Sequence, residues 1–337
     1  MKRIGILTSG GDSQGMNCAI RAVTRSAINS GLTVMGIRDG YQGLIDGNIE
    51  ELNVRSVSHI VDRGGTFLRT ARCLDFKEEA GILKAVQTCK DFGIEGLVVI
   101  GGDGSFRGAK DMSLHGIPTV AMPGTIDNDI ACSDYTIGFD TAVNVAMEAA
   151  DRLRDTSESH CRCAVVEVMG RNAGWVAVDT ALCVGATYVI VPEMNFTVTE
   201  LIKKIKDGIA LGKKNFMIVA SEGVFANTKH NKNYEHLQKR HITSANKLAK
   251  TIEERTGIET RATVLGHIQR GGAPTARDRY MATEMGYRCT ELLLEGKTNR
   301  VVILKDNKIV DIDIIEALNM KKEFDERRYK IANSIGL

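Results

Sequence analysis

Three glycine-rich turns hold the residue types that could do chemistry. In Pro123-Gly124-Thr125-Ile126-Asp127-Asn128-Asp129, two carboxylates stand two residues apart after an apolar run. In extended backbone alternate side chains point the same way, so Asp127 and Asp129 would share one side. A carboxylate beside an alcohol suits a general base for phosphoryl transfer; a metal-site carboxylate with no base role is the alternative. In Gly101-Gly102-Asp103-Gly104-Ser105 the glycines let the backbone approach phosphates closely. An acidic residue there would repel a polyphosphate unless a cation stood between them. Asp103 therefore reads as a Mg²⁺ ligand, direct or through water, on a nucleotide, against the alternative of a capping Asp in a glycine turn. The first turn, Gly10-Gly11-Asp12-Ser13-Gln14-Gly15, fits neither standard phosphate loop. Asp12 takes the place of the second glycine of a dinucleotide fingerprint, and Met16 and Asn17 replace the Lys and hydroxyl of a P-loop. Bare amides before a helix N-terminus remain, which make an anion site or a plain tight turn.

Arginines form a second set. Arg63, Arg171 and Arg270 stand beside glycines, and Arg72, Arg162 and Arg261 add to the set, with His267 in Gly266-His267-Ile268-Gln269-Arg270-Gly271-Gly272. Such guanidiniums suit bidentate capture of phosphate. One alone is commonly a surface ion pair; several, together with a metal-type Asp and a candidate base, point to a phosphorylated substrate.

These residues need a scaffold that delivers turns to one place. Short β-branched runs at 4–7, 96–100, 119–122, 164–169 and 216–220 each end in turn residues. Apolar spacing near 3.6 predicts helices over 78–92 and 140–154. Strand, glycine turn and helix in repetition give parallel βαβ units, whose ligands sit outside the carboxyl ends of the strands. At 337 residues the chain has room for two domains, with a break near 138. Residues 226–245 read as a solvated polar insertion. His236 and His241 within it are five apart and do not share a helix face.

Composition excludes other classes. Hydrophobic residues at 43% and charged residues at 26% describe a globular chain. Lys+Arg of 44 against Asp+Glu of 42 leaves a net charge of +2, with no basic excess for nucleic acid. The eight cysteines include no C-x-x-C, so reduced thiols are expected rather than zinc. The first residues reach Thr8-Ser9-Gly10 too soon for a signal peptide, and no apolar run approaches the ~20 residues of a membrane helix. A cytoplasmic protein that binds neither membrane nor nucleic acid is expected.

With GGDGS, PGTIDND, MGR and GHIQRGG in this order, the chain resembles the bacterial-type ATP-dependent 6-phosphofructokinase family over nearly its whole length. GGDG alone is weak evidence, since lipid and NAD kinases share it. PGTIDND with GHIQRGG is specific. The resemblance implies two doubly wound Rossmann-like α/β domains with mostly parallel sheets, an active site in the cleft between them, and a homotetramer. The expected division is 1–138 plus about 258–304 for an ATP-binding domain, and 139–257 plus about 305–337 for a sugar-phosphate domain.

The resemblance also implies roles. Asp127 would take the proton of the 1-hydroxyl of fructose 6-phosphate, with Thr125, Ile126 and Asp129 beside it. Asp103 would hold Mg²⁺. Gly11, Arg72, Cys73, Gly102, Asp103, Gly104 and Ser105 would line the ATP site, with Arg72 and Arg171 facing the transferring phosphoryl group. Met169, Gly170, Arg171, Glu222, His267 and Arg270 would hold the sugar phosphate, and Arg162 and Arg261 would reach in from a neighbouring subunit. Pyrophosphate-using relatives carry Asp and Lys at positions 104 and 124; the glycines here favour ATP. A kinase of another acceptor and a non-catalytic sensor are the remaining rivals. The chain departs from the pattern at Cys73, where an aromatic is common. In the effector site Arg21, Arg25, Arg154, Gly185 and Lys213 match, whereas Val54, His59, Thr187, Leu211 and Asn215 replace expected polar or charged groups. At ~1.5–3 kcal/mol per lost charge-assisted contact, weak or altered allostery is expected.

Overall fold

The structure is a computed structural model, and it describes residues 1–336. Two compact units emerge. The first comprises Met1–Thr141 and Arg270–Lys322; the second comprises Ala142–Gln269 and the chain from Glu323 on.

Among the described residues eleven strands form two sheets: β1 (Arg3–Ser9), β2 (Thr33–Ile37), β3 (Ile49–Leu52), β4 (Gly96–Gly101), β5 (Thr119–Pro123), β6 (Cys163–Val168), β7 (Tyr188–Ile190), β8 (Phe216–Ser221), β9 (Thr260–Val264), β10 (Arg300–Lys305) and β11 (Lys308–Asp313). The first unit holds a seven-stranded sheet in the order β11-β10-β5-β4-β1-β2-β3. Its five central strands are parallel and both edge strands antiparallel. Strands covered by helices on both faces should read as continuous apolar runs, and β4, Gly-Leu-Val-Val-Ile-Gly, is buried throughout. Alternation across the pleat sends Val98 and Ile100 into one core and Leu97 and Val99 into the other. The second unit holds a parallel four-stranded sheet, β7-β8-β6-β9.

In the first sheet β1 and β4 are neighbours from which the chain proceeds in opposite directions. That is the switch point where a ligand crevice opens at the carboxyl ends. Ser9 of β1 is opposite Gly101 of β4, and Gly101 is opposite Pro123 of β5. All three chemistry-bearing turns of the first unit therefore start at one sheet edge.

Several expectations change in detail. The helices predicted over 78–92 and 140–154 are Glu79–Asp91 and Phe139–Ser159. Boundaries expected at about 258 and 305 fall at 269/270 and 322/323. The reason is strand pairing: β9 joins β6 in the second unit, and the β10–β11 hairpin completes the first sheet. The segment 226–245 is not a solvated loop. Asn233 is buried, donates to the carbonyls of Val191 (2.8 Å) and Met194 (2.9 Å), and accepts from the Phe196 amide at 3.1 Å. Leu237, Ile242 and Ala245 join the core of the second unit. An asparagine amide both donates and accepts, so a polar composition can serve as internal bonding.

Candidate active site

In the first unit the turn after β5 is tied to the backbone around it. Gly124 N–H donates to the carbonyl of Gly101 (2.9 Å), and Thr125 N–H to that of Ile137 (3.1 Å). The Thr136 hydroxyl donates to the Thr125 carbonyl at 2.6 Å, and the Asp127 N–H to the Thr125 hydroxyl at 3.2 Å. Asp127 is 6% exposed, whereas Asp129 is exposed. The two carboxylates do not share surroundings as extended backbone would require, because Asn128 turns the chain with φ 49°. Ile126 is fully buried, so its side chain packs in the interior and does not line the site as expected. Lys322, which burial pushes down to about 8, stands in the field of Asp129.

Asp103 opens the Asp103–Leu114 helix, and its exposed carboxylate pairs with Arg107 one turn on, at 3.0 and 3.1 Å. Gly102 and Gly104 flank it with open space: a Cβ at either would meet nothing within 4 Å. Ser105 is buried and donates to the Ser9 carbonyl at 3.1 Å, so it joins the two turns rather than facing outward. Arg270 Nη1 donates to the Asp12 carbonyl at 2.9 Å, and a side chain at Gly11 would collide with that guanidinium. Arg72 is exposed; Cys73 is half-buried against the core, and burial pushes its thiol up.

The second unit builds a turn of its own. Val168 of β6 is opposite Ser221 of β8, so Met169-Gly170-Arg171 starts beside Glu222. Oε1 of Glu222 accepts from the N–H groups of Gly170 (3.2 Å) and Arg171 (2.7 Å). Position 170 has φ 145°, and a Cβ there would lie 2.6 Å from the Ala173 carbonyl, so only glycine closes the turn. Arg171, at φ 55°, leaves its guanidinium exposed. Met169 N–H donates to Oε1 of Gln269 at 2.6 Å. His267 is exposed in the short 3₁₀ turn that follows β9. Arg162 and Arg261 are held on either side of Glu259, at 2.8 and 2.7 Å. Hydrogen bonding from Arg162, then the two guanidinium charges, holds that carboxyl below its usual range.

The effector candidates divide by unit. Arg21 and Arg25 lie on the Met16–Asn29 helix, where Arg25 reaches the Val54 carbonyl at 3.4 Å. Arg154, Gly185 and Lys213 line one small pocket together with Thr187 and Asn215.

A family described as Phosphofructokinase matches residues 3–293. The chain belongs to the phosphofructokinase family. It is 53% identical over 335 residues to the ATP-dependent 6-phosphofructokinase of Clostridium tetani, covering 99% of both chains. Among solved structures it is similar to the phosphofructokinases of Saccharomyces cerevisiae (31% identity, TM-score 0.84) and Pichia pastoris in the T-state (33%, 0.85). Each covers 99% of this chain, which spans 47% and 36% of those longer chains.

Two residues that hold candidate site segments of this phosphofructokinase leave no plain signal in the sequence. Gln269 lies inside the quoted GHIQRGG motif, and only the fold shows that its side chain holds the Met169 amide. Asn17 stands where a P-loop has its hydroxyl residue. Its amide instead fastens residues 63–67, donating to the carbonyls of Arg63 (3.0 Å) and Gly64 (3.3 Å) and accepting from the Phe67 N–H (2.6 Å).

Proposed function

We propose that this phosphofructokinase transfers the γ-phosphoryl group of ATP to the 1-hydroxyl of fructose 6-phosphate, giving fructose 1,6-bisphosphate and ADP. The observation that carries the reading is Asp127, a nearly buried carboxylate on a turn whose backbone is fixed at three points. As the sugar oxygen bonds to the γ-phosphorus, its proton passes to the Asp127 carboxylate. The bond from the γ-phosphorus to the β,γ-bridging oxygen breaks, and ADP departs. A base held in place supplies about 10²–10⁴-fold. Arg72 and Arg171 offer exposed donors to the phosphoryl oxygens, where charge develops. Arg270, His267, Glu222 and the 169–171 turn are assigned to the sugar phosphate. The open space at Gly104 supports ATP over pyrophosphate.

The donors fit Mg²⁺ as a companion of the nucleotide. No group of three or more potential metal ligands occurs among the described residues, whereas the Asp103 carboxylate is exposed beside two bare glycines. One carboxylate plus phosphate oxygens and water is the usual way Mg²⁺ is held. When bound, the ion would neutralise phosphate charge. Asp103 would give up Arg107 to hold it.

We further propose a homotetramer in which Arg162 and Arg261 serve a neighbouring subunit's substrate. Arg261 lies on the edge strand β9 and Arg162 immediately precedes its neighbour β6, and Val264 on that edge is 51% exposed, which supports that reading. All eight cysteines are free, and no helix is long and apolar enough to cross a membrane among the described residues, which fits a cytoplasmic enzyme.

The test compares ATP with pyrophosphate as donor to fructose 6-phosphate, with and without excess EDTA. Turnover with ATP that EDTA abolishes is expected. Turnover with pyrophosphate alone would reverse the donor assignment, and no turnover with either would remove the activity.

A further inference from the structure

Behind the Asp127 turn lies a second buried carboxylate to which the reaction above gives no task. Asp278, in the first turn of the Ala276–Leu294 helix, is fully buried. One oxygen accepts from Gly138 N–H at 2.9 Å; the other accepts from Thr141 N–H (2.9 Å) and the Thr141 hydroxyl (2.5 Å). The same hydroxyl accepts from Thr275 N–H at 3.0 Å, and the Thr275 hydroxyl donates to Asp140 at 2.6 Å. The segment so gripped is the one that grips the catalytic turn. Ile137 N–H donates to the Pro123 carbonyl (2.9 Å), and the Ile137 carbonyl accepts from Thr125 N–H (3.1 Å). Gly124 and Ile137 pair as an isolated parallel bridge. Thr136 adds its bond to the Thr125 carbonyl at 2.6 Å.

We propose that Asp278 is a positioning residue for phosphoryl transfer: its carboxylate fixes residues 136–141, and through them the aim of Asp127. The proposal rests on the assignment of Asp127 as the base. A carboxylate suits the place because three donors converge on its two oxygens. An amide offers one acceptor and would set its NH₂ against a backbone N–H. Burying a charge costs free energy that an apolar residue would not. Burial, opposed by these donors and reinforced by Asp140, pushes this carboxyl up to about 6. A group so costly is explained by what it holds.

The test uses Asp278→Asn, Thr141→Val and Thr141→Ser in the full-length protein. Two readouts are taken: amide hydrogen exchange over residues 123–129, and kcat with KM for fructose 6-phosphate. For Asp278→Asn, kcat falls at least about tenfold while KM moves less than about threefold, the split expected when a reacting group is misaimed. Exchange over 123–129 quickens about fivefold or more, while β6 amides keep the parent rate. Thr141→Val shifts both readouts the same way by less, and Thr141→Ser, which keeps the hydroxyl, restores them. A folded Asp278→Asn protein with kcat within twofold of the parent overturns the proposal. So does faster exchange spread evenly over the chain, the mark of a merely structural role. If Asp278→Asn does not fold, equal kcat in the two Thr141 variants overturns it. Exchange needs no turnover, so a parent that fails to phosphorylate fructose 6-phosphate sinks the assigned reaction while the exchange result still decides the linkage from Asp278 to the turn.

Discussion

Exposed arginines on each of the two units and the cationic pocket of the second unit use the same residue types in opposite states. Arg72 and Arg171 are exposed, and among the described residues neither guanidinium has an ion pair or hydrogen bond. Arg154 and Lys213 line a pocket in which each is already committed, Arg154 to the Val184 carbonyl and Lys213 to the Gly336 carbonyl at 3.0 Å. An uncommitted donor gains most from a charged acceptor, because it gives up no bond to the chain. Donors committed to the chain must exchange one acceptor for another, and an anion gains only the difference. The carboxylates sharpen the same contrast: Asp127 is nearly buried on a fixed turn, whereas Asp103 is exposed and paired with a side chain a ligand can displace.

The largest test of this contrast is Asp127→Asn. It keeps the shape of the turn and removes the proposed proton acceptor, so kcat should fall by about 10²–10⁴ with Michaelis constants little changed. Steady-state kinetics giving kcat within about threefold of the parent would break the assignment.

Next comes the donor side. At position 104 there is room, so Gly104→Asp should fold normally and set a carboxylate against the nucleotide of the proposed donor site. A fall of about 10–100-fold in kcat/KM for ATP is expected from the like charges. Position 124 differs: a Cβ there would lie 2.9 Å from Met16 Cε and 3.0 Å from Ile100 Cγ2. Gly124→Lys should therefore lower the melting temperature as well, by overpacking worth about 1–3 kcal/mol. Thermal melts of the two variants separate room for a ligand from room for the core; equal melting temperatures would remove the distinction.

These positions show what the sequence could and could not disclose. The order of glycine turns and apolar runs was legible because each strand ends where its turn begins, and the parallel core followed from that rhythm. The aim of the carboxylates was not legible, because one positive φ at Asn128 undoes the alternation on which the reading of Asp127 and Asp129 depended. The hairpin closing the first sheet left a readable trace: Asp306 and Asn307, at φ 49° and 59°, make the turn that such residues favour between β10 and β11. Asp278 left none, since an aspartate in an exposed-looking helix start resembles an ordinary cap. Only tertiary packing shows that its partners are Gly138 and Thr141.

A smaller effect comes from pH. Asp278 is raised from 3.8 to about 6, chiefly by burial and in part by Asp140, and its charge in turn raises the Cys18 thiol on the Met16–Asn29 helix. A folded state that holds this proton more tightly is favoured below the unfolded value, and the benefit is lost as pH rises through about 6. Relative to Asp278→Asn, which cannot titrate, the parent should therefore lose on the order of 1 kcal/mol between pH 5 and pH 7. Urea midpoints of both proteins at the two pH values read the difference directly. A gap that is constant, or that moves in the parent's favour on going to pH 7, would contradict the burial of an ionised group.

The smallest expected effect lies in the Arg154–Lys213 pocket. Thr187 is buried there and accepts from the Met217 N–H at 3.3 Å, so its side chain is already used, and Asn215 brings no charge. Leu211, 80% exposed, adds none nearby in sequence. Two cations, each holding a carbonyl of its own unit, leave an anion such as phosphoenolpyruvate little to gain. Its effect on the affinity for fructose 6-phosphate should stay below about fivefold, the lower end of ordinary allosteric coupling. Lys213→Ala should change kcat and KM by less than about twofold without effector, since the bond it loses is to the Gly336 carbonyl and not to a substrate. Strong inhibition of the parent by phosphoenolpyruvate, abolished in Lys213→Ala, would show that a committed donor can still be recruited, and the contrast between exposed and committed cations would fail at its weaker half.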